Sequence, residues 1–133
     1  MSKMTAFRAA RHCALALSCA LAVLAAPAAW AHAHLQQSVP AANAAVAAPA
    51  RIELRFNEAL VERFAKVTLQ FLGTDGKGQP QDVDGVALAF ADDKRGVIAT
   101  PAQPLPAGRY RVLWRVVSAD THPIKGQFEF TVK

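Results

Sequence analysis

Apolar and polar residues alternate with period two through most of the chain beyond the first quarter, the mark of strands with one buried face. In Arg51-Ile52-Glu53-Leu54-Arg55-Phe56, the apolar Ile52, Leu54 and Phe56 interleave with charged residues. Lys66 to Phe71 repeats the pattern with Val67, Leu69 and Phe71. Val86 to Phe90 predicts a further short strand, and Gly96 to Thr100 a weaker one. Tyr110, Val112, Trp114 and Val116 share one face, opposite Arg109, Arg111 and Arg115, and the last run turns Phe128, Phe130 and Val132 inward. With a strand near Ala33 to Ser38, the count reaches about seven.

Turn signals separate these runs at Pro40 to Asn43, Thr74 to Gly78, Ala91 to Gly96 and Pro101 to Gly108. Seven short strands without a long helical pattern predict an all-β fold, an antiparallel β-sandwich of immunoglobulin-like architecture, with a small closed barrel as the alternative. Between Pro40 and Pro49 there is room for a helical turn and little more. Trp114 reads as sandwich core, and Asp92 to Arg95 as an exposed hairpin turn. Arg109, Arg111 and Arg115 could meet an acidic partner, but they read first as a solvated edge face.

The first 31 residues do not share this pattern. Lys3, Arg8 and Arg11 precede a 14-residue apolar run, Cys13 to Ala26, which Pro27 ends; Ala29-Trp30-Ala31 then gives a small-x-small cleavage site. These are the three parts of a secretory signal. The run is short for a permanent membrane span, and Ala16-Leu17-Ser18 is a poor lead-in for lipidation of Cys19. Residues 1–31 are therefore expected to be a signal peptide, and residues 32–133 one secreted domain that begins with His32.

Cleavage changes the composition. Losing 31 of 133 residues leaves 102, and losing Lys3, Arg8 and Arg11 leaves 12 Lys and Arg against 10 Asp and Glu, a formal charge of +2. Nucleic-acid binding loses its main support. Both cysteines and both methionines go with the signal, which excludes a disulfide, a zinc-thiolate site and a thiol nucleophile.

The remaining histidines are His32, His34 and His122. A terminal histidine has a free α-amine with a pKa of about 7.7 to 8.0, so a metal can displace its proton near neutrality. Amine and ring nitrogen of one residue can chelate one ion. Nitrogen-rich, sulfur-free donors favour Cu(II), which tops the divalent affinity order. Asp120 and His122 are two apart and would project to one side of an extended chain, and Pro123 biases His122 toward extended backbone. Such a pair also occurs in purely structural turns.

These residues bring the chain to a known family. It resembles the CopC family of periplasmic copper-binding proteins along nearly all of the mature region. The resemblance rests on His32-Ala33-His34-Leu35, on Ser38 to Ala41, on Arg51 to Glu58, on Pro104 to Val112 and on Trp114 to Pro123. It implies a seven-stranded Greek-key β-sandwich in the periplasm with one Cu(II) at its end, held by the amine and ring of His32, by Asp120 and by His122. Glu58 falls where some members place an extra carboxylate, a candidate outer or weak ligand. Some members also hold Cu(I) in a methionine-rich segment; the absence of sulfur after Ala31 implies a Cu(II)-only member. The implied recipient is an inner-membrane copper transporter of the CopD type, and the implied state a monomer.

His34 offers a competing mode, in which the amine, two deprotonated amides and the His34 ring wrap the ion in a plane. Those amides could then no longer serve a β-ladder, which favours the folded site. The leading function is copper binding for resistance, homeostasis or delivery, without enzymatic turnover. The alternatives are an oxidative copper enzyme resembling a lytic polysaccharide monooxygenase, and a metal-free structural sandwich.

Overall fold

The computed structural model describes residues 33–133, so the expected signal peptide and His32 lie outside the described residues. The described chain forms β1 (Leu35–Val39), β2 (Ala45–Val46), β3 (Ile52–Phe56), β4 (Lys66–Phe71), β5 (Gln81–Asp82), β6 (Ala87–Phe90), β7 (Gly96–Thr100), β8 (Gly108–Val117) and β9 (Pro123–Val132). One sheet has the order β1-β3-β7-β6, the other β2-β9-β8-β4-β5. The expected sandwich is the fold. The seven expected strands are present, and β2 and β5, of two residues each, are additional.

Alternation along each strand decides what fills the space between the sheets. Ile52, Leu54 and Phe56 of β3, with Val97 and Ala99 of β7 beside them, face Val67 and Leu69 of β4, Tyr110, Val112 and Val116 of β8, and Phe128, Phe130 and Val132 of β9 in one continuous core. Each such side chain, fully buried, contributes about 1.5 to 3 kcal/mol relative to an exposed one.

Three local expectations need correction. The Ala41 to Ala50 stretch makes no helical turn: Asn43 takes φ 62°, and Ala45-Val46 then pairs in parallel with Thr131-Val132. Open main-chain groups of β9 supply partners that an isolated helical turn would lack. Second, β8 is no edge, because β4 and β9 pair along it from both sides. Its arginine face is the outer surface of a sheet interior, where Arg111 bonds Glu129 at 2.8 Å and Arg109 lies 3.7 Å from the same carboxylate. Third, Trp114 points inward but is only half-buried, its ring near those of Phe56 and Phe128. The ring lies over Gly126, where a Cβ would come within 2.3 Å of it. Asp92 to Arg95 does form the turn between β6 and β7, tied down by Arg55, which donates to Asp93.

Tyr110 fixes one corner of the sandwich. Its ring is buried, and its hydroxyl donates to the Pro106 carbonyl at 2.8 Å, across the bend that leads into β8. Tyrosine corners of immunoglobulin-like sandwiches bond in this way. Burial pushes the phenol above its ordinary value. Tyr110→Phe leaves the carbonyl without that donor and should cost about 1 to 2 kcal/mol. Thermal melting should register a drop of several degrees; an unchanged midpoint would show that the corner adds nothing.

Candidate metal centre

Three segments meet at one end of the sandwich, held by main-chain bonds. The first is Ala33-His34, just before β1. Ala33 is buried, and the His34 amide donates to the Asn57 side-chain oxygen at 2.5 Å, while the Asn57 amide donates to the His34 carbonyl at 3.2 Å. The second segment, Asn57 to Val61, leaves β3 and runs along the end of β8. There Ala119 donates to the Ala59 carbonyl at 3.0 Å, Leu60 bridges Ser118, and Val61 donates to the Val117 carbonyl at 2.8 Å. The third is the turn from Ser118 to His122 that joins β8 to β9.

That turn brings Asp120 and His122 together. It does so by a different route from the expected one. The chain is not extended there: Thr121 has φ 73° and donates to the Ser118 carbonyl at 2.8 Å, and Ser118 donates to the His122 carbonyl at 3.2 Å. A β-branched residue in left-handed backbone is uncommon and strained. The strained residue sits between the two polar ones and folds them onto the same side. His122 Nδ1 lies 3.0 Å from Asp120 Oδ2.

Ser118 organises the pair. It is fully buried, and its hydroxyl donates to Asp120 Oδ1, which also lies 3.4 Å from the His122 amide. The Ser118 hydroxyl is the main cause that holds the Asp120 carboxyl below its ordinary value; desolvation, next in size, opposes it, and the amide, ring and charge of His122 add smaller lowering effects. The carboxylate is therefore an acceptor with one oxygen occupied by the serine and the other turned toward the imidazole. Sequence places Ser118 in the Ser-x-Asp-x-His-Pro element and Asn57 in the Arg51 to Glu58 run but gives neither a role. A serine two residues before the aspartate was the available signal for the first; no pattern marks the second.

Two donor atoms bound at right angles to one first-row divalent ion, each at about 2.0 to 2.2 Å, stand about 2.8 to 3.1 Å apart. The 3.0 Å separation of Nδ1 and Oδ2 fits that bite. Among the described residues no third His, Cys, Asp or Glu joins the pair. Half-buried Glu58 precedes Ala59 at the same end, and the His34 side chain is exposed, but neither completes a cluster with Asp120 and His122. His32 is the peptide neighbour of buried Ala33.

Known proteins share this arrangement of strands and sequence. Residues 35–133 match the CopC domain. The chain is 45% identical over 106 residues to copper resistance protein C of Escherichia coli, covering 79% of this chain and 84% of that protein. The crystal structure of PcoC, described as a methionine-rich copper resistance protein from Escherichia coli, superposes with a TM-score of 0.71 at 46% identity, over 77% of this chain and all of that one. By contrast, residues 35–133 here contain no methionine. A third relative, the copper transport protein CutJ of Bacillus subtilis, is 31% identical over 104 residues, which are 77% of this chain but only 18% of that protein. By domain match, sequence identity and superposition alike, this chain belongs to the CopC family.

Proposed function

We propose that the domain is a periplasmic copper-binding protein, working as a monomer, that takes one Cu(II) at the end of the sandwich through the α-amine and ring of His32, through Asp120 and through His122. The 3.0 Å bite between His122 Nδ1 and Asp120 Oδ2 carries this reading. Family membership and relatives named for copper resistance favour copper over other metals. His32 directly precedes Ala33 in sequence, and the core holds Ala33 beside this end. Ser118 acts as the positioning residue for Asp120.

The planar mode through His34 would need its amide nitrogen stripped of a proton. That N–H is engaged by Asn57, and breaking the contact would release the start of β1. His34 is accordingly outside the inner ligand set, and Glu58 is left out because among the described residues it forms no cluster with Asp120 and His122. Without sulfur in residues 32–133, the soft monovalent ion has no thioether site, so the protein handles Cu(II) only. A carboxylate ligand stabilises Cu(II) against reduction and disfavours oxidative turnover. Among the described residues Val39 and Phe64 are the exposed large apolar side chains, too few for a polysaccharide platform. The role is sequestration in copper resistance or homeostasis, or delivery to an inner-membrane transporter of the CopD type. The match to a segment of a much larger copper transport protein supports such a recipient.

Titrating Cu(II) into the processed protein should give one equivalent bound. Asp120→Ala or His122→Ala should weaken it by more than tenfold, and Ser118→Ala by about tenfold, the usual effect of losing a residue that orients a ligand. Unchanged affinity in both ligand variants would refute the folded site. An additional alanine before His32 should abolish the amine contribution and change the paramagnetic resonance spectrum, whereas His34→Ala should leave the spectrum intact. A spectrum that changes in His34→Ala would assign copper to the planar mode, which the additional alanine also disrupts by moving His34 out of the third position.

Acidification should remove copper before it unfolds the domain. The bound amine and imidazole must shed protons, so affinity falls as pH drops below neutrality. Asp120 has a depressed value in the fold, so its contribution to stability is present above the ordinary carboxylate range and lost only below it. Resonance and circular dichroism, followed together from pH 7.5 to 4.5, should show copper released while the sheet signal persists. Coincident loss of both signals would contradict this order.

A further inference from the structure

The outer face of β4, β8 and β9 carries a feature that copper binding does not use. Lys66 pairs with Arg115, and Arg115 pairs with Lys125, so three cations stand in direct register across three adjacent strands. All three side chains are exposed, and none forms an ion pair with a described residue. Like charges placed directly opposite each other destabilise a sheet. The other end of the same face is built differently: in the row Gln70, Arg111, Glu129 the arginine is neutralised within the row, and Arg109 reaches the same carboxylate. One end of the face is internally balanced. The other carries uncompensated repulsion.

The cationic row borders a concavity of about 460 Å³, lined also by Thr68, half-buried Leu113 and Gln127. A second depression of about 230 Å³ shares Arg115 and Lys125 and continues to Pro123, the residue after His122. The two form one groove that leads toward the turn holding Asp120 and His122. Strand spacing makes the cationic row about 9.5 Å long, while alternate residues of an extended chain project to one side about 6.8 Å apart. Two carboxylates of such a chain can therefore serve three cations, with an apolar side chain against Leu113.

We propose that this groove docks an extended acidic segment of a partner protein, with carboxylates on Lys66, Arg115 and Lys125 and an apolar residue over Leu113. Docking there does not require that the domain hold copper. A membrane is the less suitable occupant: the row has three cations, fewer than the four to eight of polybasic lipid-binding segments, and its centre is recessed.

The test uses the processed protein, nitrogen-15 labelled and metal-free, with the blocked peptide Glu-Ser-Glu-Ser-Leu as probe, whose two carboxylates and leucine project to one side when extended. Amide shifts should centre on residues 66, 113, 115 and 125, and weaken as salt is raised. Arg115→Glu should reduce the affinity at least tenfold and, by relieving the repulsion, raise the melting temperature. Arg115→Gln should lie between wild type and Arg115→Glu in both measurements. Shifts centred elsewhere, or peptide binding that survives Arg115→Glu, would overturn the proposal. So would displacement of the peptide by an equal charge concentration of sulfate, or binding to phosphatidylglycerol vesicles without binding to the peptide. A variant that loses binding and also melts lower would point to a fold defect and count against the repulsion argument.

Discussion

A buried hydroxyl has to find partners inside the fold, and at the end of this sandwich that requirement falls on Ser118. It is the one polar residue among the described ones that the core encloses completely. The hydroxyl takes up an oxygen of Asp120, the main chain closes the turn onto His122, and Thr121 accepts left-handed backbone so that both bonds can form. The carboxylate and the imidazole meet because of that arrangement. Leu60 bridges Ser118 from the other side, which ties the turn to the segment after β3 and, through Asn57, to the start of β1.

Much of the fold was legible because strands of four or more residues reveal their buried face by alternation. β3, β4 and β7 begin and end within a residue of where the pattern places them. The two-residue strands β2 and β5 were not legible, since a period cannot show in two positions and their existence depends on open partners in β9 and β4. Sheet position is equally silent. The alternation in β8 shows which residues face outward but not that β4 and β9 flank it on both sides, so a sheet interior read as an edge.

The candidate site divides in the same way. Asp120 and His122 could be chosen from residue chemistry and from the family motif. Their adjacency was right, but the extended geometry offered for it was not, because a tight turn with a left-handed residue replaces strand alternation there. Ser118 and Asn57 act through single hydrogen bonds to particular atoms, and such bonds leave no periodic trace. The cross-strand row of Lys66, Arg115 and Lys125 is another example: the three are scattered over sixty residues of sequence and become neighbours only through the ladder register.

Among the described residues the hairpin of β8 and β9 comes last, and β1 is the first strand. Segments so distant in sequence meet only after a long loop has closed, which makes their contact late in folding, whereas a hairpin of neighbouring strands can form early. On the proposed ligand set, the metal donors come from both classes. Incomplete or partly folded chains would then hold only half of a binding site. Metal occupancy therefore reports that the segment before β1 and the β8–β9 hairpin have found each other.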